Sequence, residues 1–166
     1  METVSKNAPA LIAWKDGFKI GIVAVDSAHR QLFDGVASLR VGMDAQTLAM
    51  LQEEILRHFA HEQDLMERSG YPAVEQHVKL HQEFAAQLAG FQEAGSSWDA
   101  LRVQELRTFL NQWLTGHIMA HDMRFGKWYA SQQARSARAI AANRPAHKPS
   151  GFFARLWGAR TASAHH

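Results

Sequence analysis

The chain contains no cysteine. Disulfides and thiolate-held metals are therefore excluded, and any metal ion must be bound through nitrogen and oxygen. No apolar run approaches the roughly 20 residues that a membrane-spanning helix needs. The first ten residues have no apolar stretch behind a basic start, so no secretory signal is recognised and a cytoplasmic protein is expected. β-Branched residues are sparse and never alternate over a useful length, which removes the strand signal. Acidic residues are missing from Ser131 onward, where Arg135, Arg138, Arg144, Lys148, Arg155 and Arg160 lie. The net charge of +2 thus combines a mildly acidic body with a basic tail. That asymmetry does not describe a nucleic-acid-binding fold, and no nucleic-acid partner is expected.

What remains is a helical pattern with many histidines. Residues 1–26 carry Trp14, Phe18, Ile20 and Ile22 between polar residues without a sustained period, as in an extended N-terminal arm. Asp26 or Ser27 is then the expected N-cap of a first helix with Leu32, Phe33, Val36 and Leu39 inward, ending at Gly42. Asp44 caps a second helix, with Leu48, Leu51, Ile55, Phe59 and Met66 at helical spacing and Gly70 as its stop. Pro72 suits the first turn of a third helix through His77, His81, Phe84 and Leu88, which stops at Gly95. Ser96 and Asp99 resemble a capping box for a fourth, running with Leu106, Phe109, Leu110, Trp113 and Leu114 toward Tyr129. Four such helices with short connections imply an all-α, up-down-up-down antiparallel bundle. The expected organisation is a bundle domain over residues 1–130 and a basic tail over 131–166, partly disordered or forming a short amphipathic helix.

Ten histidines are scattered through the chain, and their spacing carries more than their number. His58 and Glu62 are four apart on the second helix, and His77 and His81 are four apart on the third. Residues four apart project about 40° from one another, so each pair can converge on one metal ion or on two neighbours. His29 stands on the first helix, three residues after Asp26, and His117 precedes Asp122 by five on the fourth. Five imidazoles and two carboxylates suit iron and, by softness alone, zinc, copper or manganese. Seven ligands exceed the needs of one ion. Two bridging carboxylates and a bridging oxygen would give one ion six ligands with three histidines, and the other five ligands with two, leaving one open position. The five-residue step is awkward, because an ideal helix points Asp122 about 140° away from His117. Either the helix is distorted there or the side chain reaches around its flank.

The order of a lone His29, then His58-x-x-x-Glu62, His77-x-x-x-His81 and His117-x-x-x-x-Asp122 resembles the ligand pattern of the hemerythrin family. Trp14, Asp26 and Gly70-Tyr71-Pro72 agree with it, and the resemblance covers roughly residues 10–130. It implies two non-haem iron ions, bridged by carboxylates and an oxo or hydroxo group. His77, His81 and His117 would hold the six-coordinate iron, His29 and His58 the other, with Glu62 and Asp122 between them. Dioxygen would bind reversibly at the open position, as ligand binding and not as turnover. Leu32, Phe59, Trp113, Leu114 and Ile118 are similar to the family's oxygen-pocket residues, although such side chains at helical spacing are more often plain core. His61 and His121 are read as non-ligands.

Oxygen carriage, storage or delivery is the expected function. An oxygen or redox sensor, or a di-iron enzyme consuming peroxide or nitric oxide, remains open as an alternative. Glu-x-x-His pairs, which build ferritin-like di-iron enzymes, do not occur in the chain. A monomer is expected. Phe152, Phe153, Leu156 and Trp157, with Arg155 and Arg160, give residues 151–160 at most weak, reversible contact with an anionic membrane or a partner groove.

Overall fold

The computed structural model describes residues 10–93 and 98–144. The elements are a 3-10 turn Asp16–Phe18, α1 (Val23–Ser38), α2 (Ala45–Ser69), α3 (Val74–Glu93), α4 (Ala100–His117), a π-helical segment Ile118–Asp122, and α5 (Met123–Ala142). No strand occurs among the described residues. The helix α4, the π segment and α5 follow one another without an intervening loop, so the bundle has four helical rods. α1 packs on α2 and α4, and α2 packs on α3. Phe84 of α3 closes the ring by stacking on Phe109 and Trp113 of α4, at centroid distances of 5.3 and 4.0 Å. Residues 1–133 form one compact unit and 134–166 a second, of which only the helical residues to Ala142 and the turn to Arg144 are described.

Each rod buries one stripe. On α1 the stripe is Val25, Leu32, Phe33 and Val36; on α2 it is Leu48, Leu51, Ile55, Phe59 and Met66. On α4 it is Val103, Leu106, Leu110 and Leu114, and it continues through Ile118 to Phe125. Steps of three and four residues keep such positions on one face, and burial of that face is what holds the helices together.

Helix ends follow local chemistry, with some departures from expectation. Asp44 accepts the Thr47 N–H at 2.8 Å, and Gly70 adopts the left-handed conformation (φ 71°) that terminates α2. Asp99 caps α4 by accepting the Arg102 N–H at 2.9 Å. Ser96 and Gly95 lie outside the described residues. α1 starts at Val23, earlier than Asp26 or Ser27, and its N-cap Ile22 makes no side-chain cap bond. The Asp26 carboxylate sits inside the first turn and reaches back to the arm, accepting Ile20 N–H at 2.7 Å and Gly21 N–H at 3.2 Å. α1 also ends at Ser38, ahead of Gly42. Pro72 precedes α3 in the connecting turn and does not lie in its first helical turn. Past Ser131 the helix continues, since α5 runs on to Ala142 through alanines and arginines, which favour helix. The aromatic segment 151–160 lies outside the described residues.

The arm is ordered by polar contacts as much as by its aromatics. Buried Asn111 accepts the Ile12 N–H at 2.9 Å and donates to the Ile12 carbonyl at 2.8 Å. Trp14 packs against Phe18 and Phe33, and its ring centroid lies 6.2 Å from that of His29. Gly126 of α5 lets the arm approach, because a Cβ there would overlap the Ile20 carbonyl oxygen and lie 2.9 Å from Ile20 Cβ. Gly126→Ala is therefore expected to destabilise the fold by about 1–3 kcal/mol, despite alanine's better helix propensity. Urea denaturation measures this; unchanged or raised stability would show that the arm yields freely.

Candidate metal centre

The apolar stripes also aim the seven candidate ligands. His29 is three residues before Leu32 and four before Phe33, so it projects from the buried face of α1. His58 and Glu62 continue the series Leu51, Ile55 toward Met66 on α2. On α3, His77 and His81 fall in step with Phe84 and Leu88; on α4, His117 follows Leu110 and Leu114. All seven are buried, and Glu62 and Asp122 are fully so (0% exposed).

They converge in two groups. The Nε2 atoms of His77, His81 and His117 form a triangle with sides of 3.1, 2.9 and 3.1 Å. An ion bound at about 2.1 Å by imidazoles on one octahedral face would place them about 3.0 Å apart. Glu62 Oε2 lies 3.3 Å from His77 Nε2 and 3.6 Å from His81 Nε2. It also faces the second group, 3.9 Å from His58 Nε2, and completes there a cluster with His29 and His58. Asp122 spans the two groups with separate oxygens. Its Oδ1 is 3.0 Å from His117 Nε2 and its Oδ2 is 3.2 Å from His29 Nε2.

The five-residue step between His117 and Asp122 is resolved by the helix itself. Ile118–Asp122 is π-helical, with the wider turn of i→i+5 bonding. At about 80° per residue, five steps bring Asp122 to within about 50° of His117, compared with about 140° on an α-helix. Of the two alternatives that the spacing left open, the helix distortion is the one present, and it turns the carboxylate inward.

Donor chemistry tests whether this interior fits metal ions. Both Asp122 oxygens, Glu62 Oε1, His29 Nδ1 and Nε2, and His58 Nδ1 are buried without a hydrogen-bond partner among the described residues. The His29 and Asp122 atoms are close enough to be called an ion pair, yet their directions do not make hydrogen bonds. Buried polar atoms left in this state are costly. Lone pairs that converge without sharing protons are what a common cation satisfies, so the residues fit two ions bound by nitrogen and oxygen alone.

Aromatic rings brace the three-histidine group. Phe59 stacks face to face on His81 at 3.7 Å between centroids, and Trp113 stacks on His117 at 4.3 Å. Phe84 backs both, at 5.9 Å from Phe59 and 4.0 Å from Trp113. Leu114 and Ile118 are buried beside them in sequence, whereas Leu32 lines a cavity together with His58 on the opposite group's side. Of the expected pocket residues, Phe59 and Trp113 thus stack on the three-histidine group, and Leu32 lines the side of His58. His121 is half-buried and stacks on His117 at 5.2 Å, while His61 is exposed at the rim of the His58 cavity. Sequence reasoning did not single out Asn111 or the other cavity residues. A polar residue next to Leu110 in a buried stripe was the signal for the first; nothing marked the second.

Burial dominates the electrostatics of the metal-free interior. It drives the His58 pKa from 6.5 down to about 3, with the neighbouring His29 adding to the effect, and it lowers those of His77 and His81. It raises Glu62 from 4.5 to about 8, reinforced by Asp122. For Asp122 burial also pushes upward, but His117 and His29 outweigh it and hold the carboxyl well below its ordinary range. The stability consequences oppose one another. Three buried histidines refuse protons that the unfolded chain accepts, so stability is lost as pH falls below 6.5. Glu62 keeps a proton that the unfolded chain releases near 4.5, so stability is lost as pH rises from there to about 8. Between 4.5 and 6.5 the histidines prevail, and above 6.5 Glu62 acts alone. The melting temperature of metal-free protein should therefore peak near pH 6.5, while the loaded protein, with Glu62 deprotonated by its ions, should show no decline above it. A metal-free melting temperature still rising at pH 8 would contradict this balance.

The fold and the paired donor groups define a class, helical bundles whose interior is suited to hold two metal ions. Residues 20–129 match the family model of the hemerythrin HHE cation-binding domain. The chain is 32% identical over 123 residues to a bacteriohemerythrin of Stenotrophomonas maltophilia, covering 70% of this chain and 80% of that one. It is 32% identical over 117 residues to a hemerythrin subunit alpha of Lingula reevii, covering 70% and 94%. Against a myohemerythrin of Riftia pachyptila the identity is 29% over 123 residues, covering 74% and 97%. The chain belongs to the hemerythrin family, whose members bind oxygen at a non-haem di-iron centre. No helix among the described residues is long and apolar enough to cross a membrane.

Proposed function

We propose that this chain is a reversible dioxygen carrier or store. In this reading His77, His81 and His117 bind one iron, His29 and His58 bind the second, and Glu62 and Asp122 bridge them. The observation that carries it is the asymmetry of the donor set: three imidazoles converge on one side of the two carboxylates and two on the other. The side with only His29 and His58 would leave room for a small molecule on the ion it holds. When bound, the pair of irons supplies the electrons that hold dioxygen.

The protein's part is to hold the ions and to keep reactive partners away. Phe59 and Trp113 stack on His81 of α3 and His117 of α4, Leu114 and Ile118 are buried next to His117 in the chain, and Leu32 lines the cavity beside His58. Their apolar surfaces limit water and proton access, which would otherwise drive irreversible oxidation. Binding is favoured over turnover because, apart from the Tyr71 phenol, whose pKa burial raises, the buried ionisable side chains among the described residues are the seven ligands themselves. That leaves no buried carboxyl or imidazole among the described residues, beyond the ligands, to deliver protons to a bound molecule. A cytoplasmic, monomeric protein suits such a role.

The test is anaerobic reduction of the iron-loaded protein followed by repeated exposure to and removal of oxygen. A visible absorption band that appears and disappears over many cycles, with one oxygen taken up per pair of irons, supports carriage. Continuous oxygen consumption would favour an enzyme, and a single irreversible change would favour a sensor.

A further inference from the structure

Beside His58 the bundle surface opens into a cavity of about 190 Å³, lined by Ala28, Gln31 and Leu32 of α1 and by Glu54, Arg57, His58 and His61 of α2. Glu54, His58 and His61 lie at steps of four and three residues, within a stripe about 60° wide on α2. The stripe is graded in depth: Glu54 and His61 are exposed, His58 is 6% exposed, and Glu62 behind it is fully buried. Arg57 at the same mouth is occupied by Glu53 at 3.3 Å, whereas Glu54 has no ion-pair partner among the described residues. On the other side of the centre, the opening at His77 between Tyr71, Gln76, His121 and Arg124 measures only about 10 Å³, room for about one water. It also carries the positive charge of Arg124.

We infer that the cavity between α1 and α2 is the entry port for ferrous ions, with Glu54 and His61 as transient contacts at its rim that pass the ion inward to His58. The inference rests on the ligand set proposed above and extends it from where the ions reside to how they arrive. A hydrated cation meets a carboxylate first, exchanges water for the carboxylate and then for imidazole, and finds His58 between the two rim residues and Glu62 one turn beyond His58 on α2. Each handover replaces one oxygen or nitrogen ligand by another, so the ion is never stripped of ligands in an apolar passage. Neither Glu54 nor His61 is needed once the ion is in place, since both stand at the rim.

The test is the rate at which metal-free, full-length protein takes up ferrous ion anaerobically, followed by stopped-flow quenching of tryptophan fluorescence. Glu54→Gln with His61→Gln is expected to slow loading about tenfold or more and to weaken its dependence on ionic strength. The same variant should still reach two irons per chain, with an unchanged melting temperature. As a control, His121→Gln at the narrow opening should load at the wild-type rate. An unchanged loading rate in the double variant, or a slow rate confined to His121→Gln, would overturn the port while leaving the centre intact. Wild-type protein that never reaches two irons would instead remove the ligand reading on which the port depends.

Discussion

Replacing Asp122 by alanine is expected to leave less than one iron per chain, a greater loss than His77→Ala produces. Asp122 touches both donor groups through different oxygens, at 3.0 Å from His117 and 3.2 Å from His29. His77 belongs to one group, with its Nε2 3.1 Å from that of His81. Removing the histidine would open one position on one ion, whereas removing the carboxylate would take a ligand from each and leave Glu62 as the one bridging carboxylate. The loss extends to folding. A ligand at a thousand times its dissociation constant stabilises the native state by about 4 kcal/mol, equivalent to on the order of 10 °C in melting temperature for a domain of this size. The Asp122→Ala melting temperature should therefore stop responding to added ferrous ion, while that of His77→Ala should still respond at higher concentration. Elemental analysis of desalted protein and a thermal scan decide the order. Equal iron in Asp122→Ala and wild type would exclude the carboxylate as a bridge.

The second large effect concerns the π-helical segment. Inserting one alanine between Met119 and Ala120 rotates everything that follows by about 100°, because the widened turn has already absorbed one extra residue. Asp122 would leave the interior, Phe125 would leave the core, and Gly126 would no longer face Ile20. Iron binding should vanish and folding should be severely weakened. Deleting Met119 is expected to do far less. It restores a four-residue step, which keeps His117 and the aspartate about 40° apart on an ordinary helix, and Met119 is half exposed (49%) with little core to lose. Iron content and circular dichroism of the two variants test the pair of expectations. Deletion as damaging as insertion would mean that the π geometry is needed in itself, beyond its effect on register.

The contrast between these variants also shows what the sequence could and could not display. The ligands were legible because they share the periodicity of the core. His29 keeps step with Leu32 and Phe33, and His77 and His81 keep step with Phe84 and Leu88, so one pattern announced both the helix and its inward donors. The Asp122 step broke that pattern, and only the resemblance recruited it. Spacing can register a mismatch with the α-helix, but it does not say whether backbone or side chain absorbs it. The start of α1 was misplaced for a related reason. An aspartate before a helix and one in its first turn look alike in sequence, and only the bonds to Ile20 and Gly21 show that Asp26 fastens the arm from within. The division of the aromatic residues, with Phe59 on His81 and Trp113 on His117, depends on helix rotation across the bundle, as does the Glu54–His61 cavity. Contacts between helices of this kind have no local signature.

Iron K-edge X-ray absorption of the fully loaded, full-length protein reaches the central claim most directly. Two ions bridged by Glu62 and Asp122 should give a nitrogen and oxygen first shell with an iron neighbour within about 4 Å. A spectrum with no metal neighbour, from protein carrying a single ion per chain, would contradict the paired centre and the oxygen-binding function built on it.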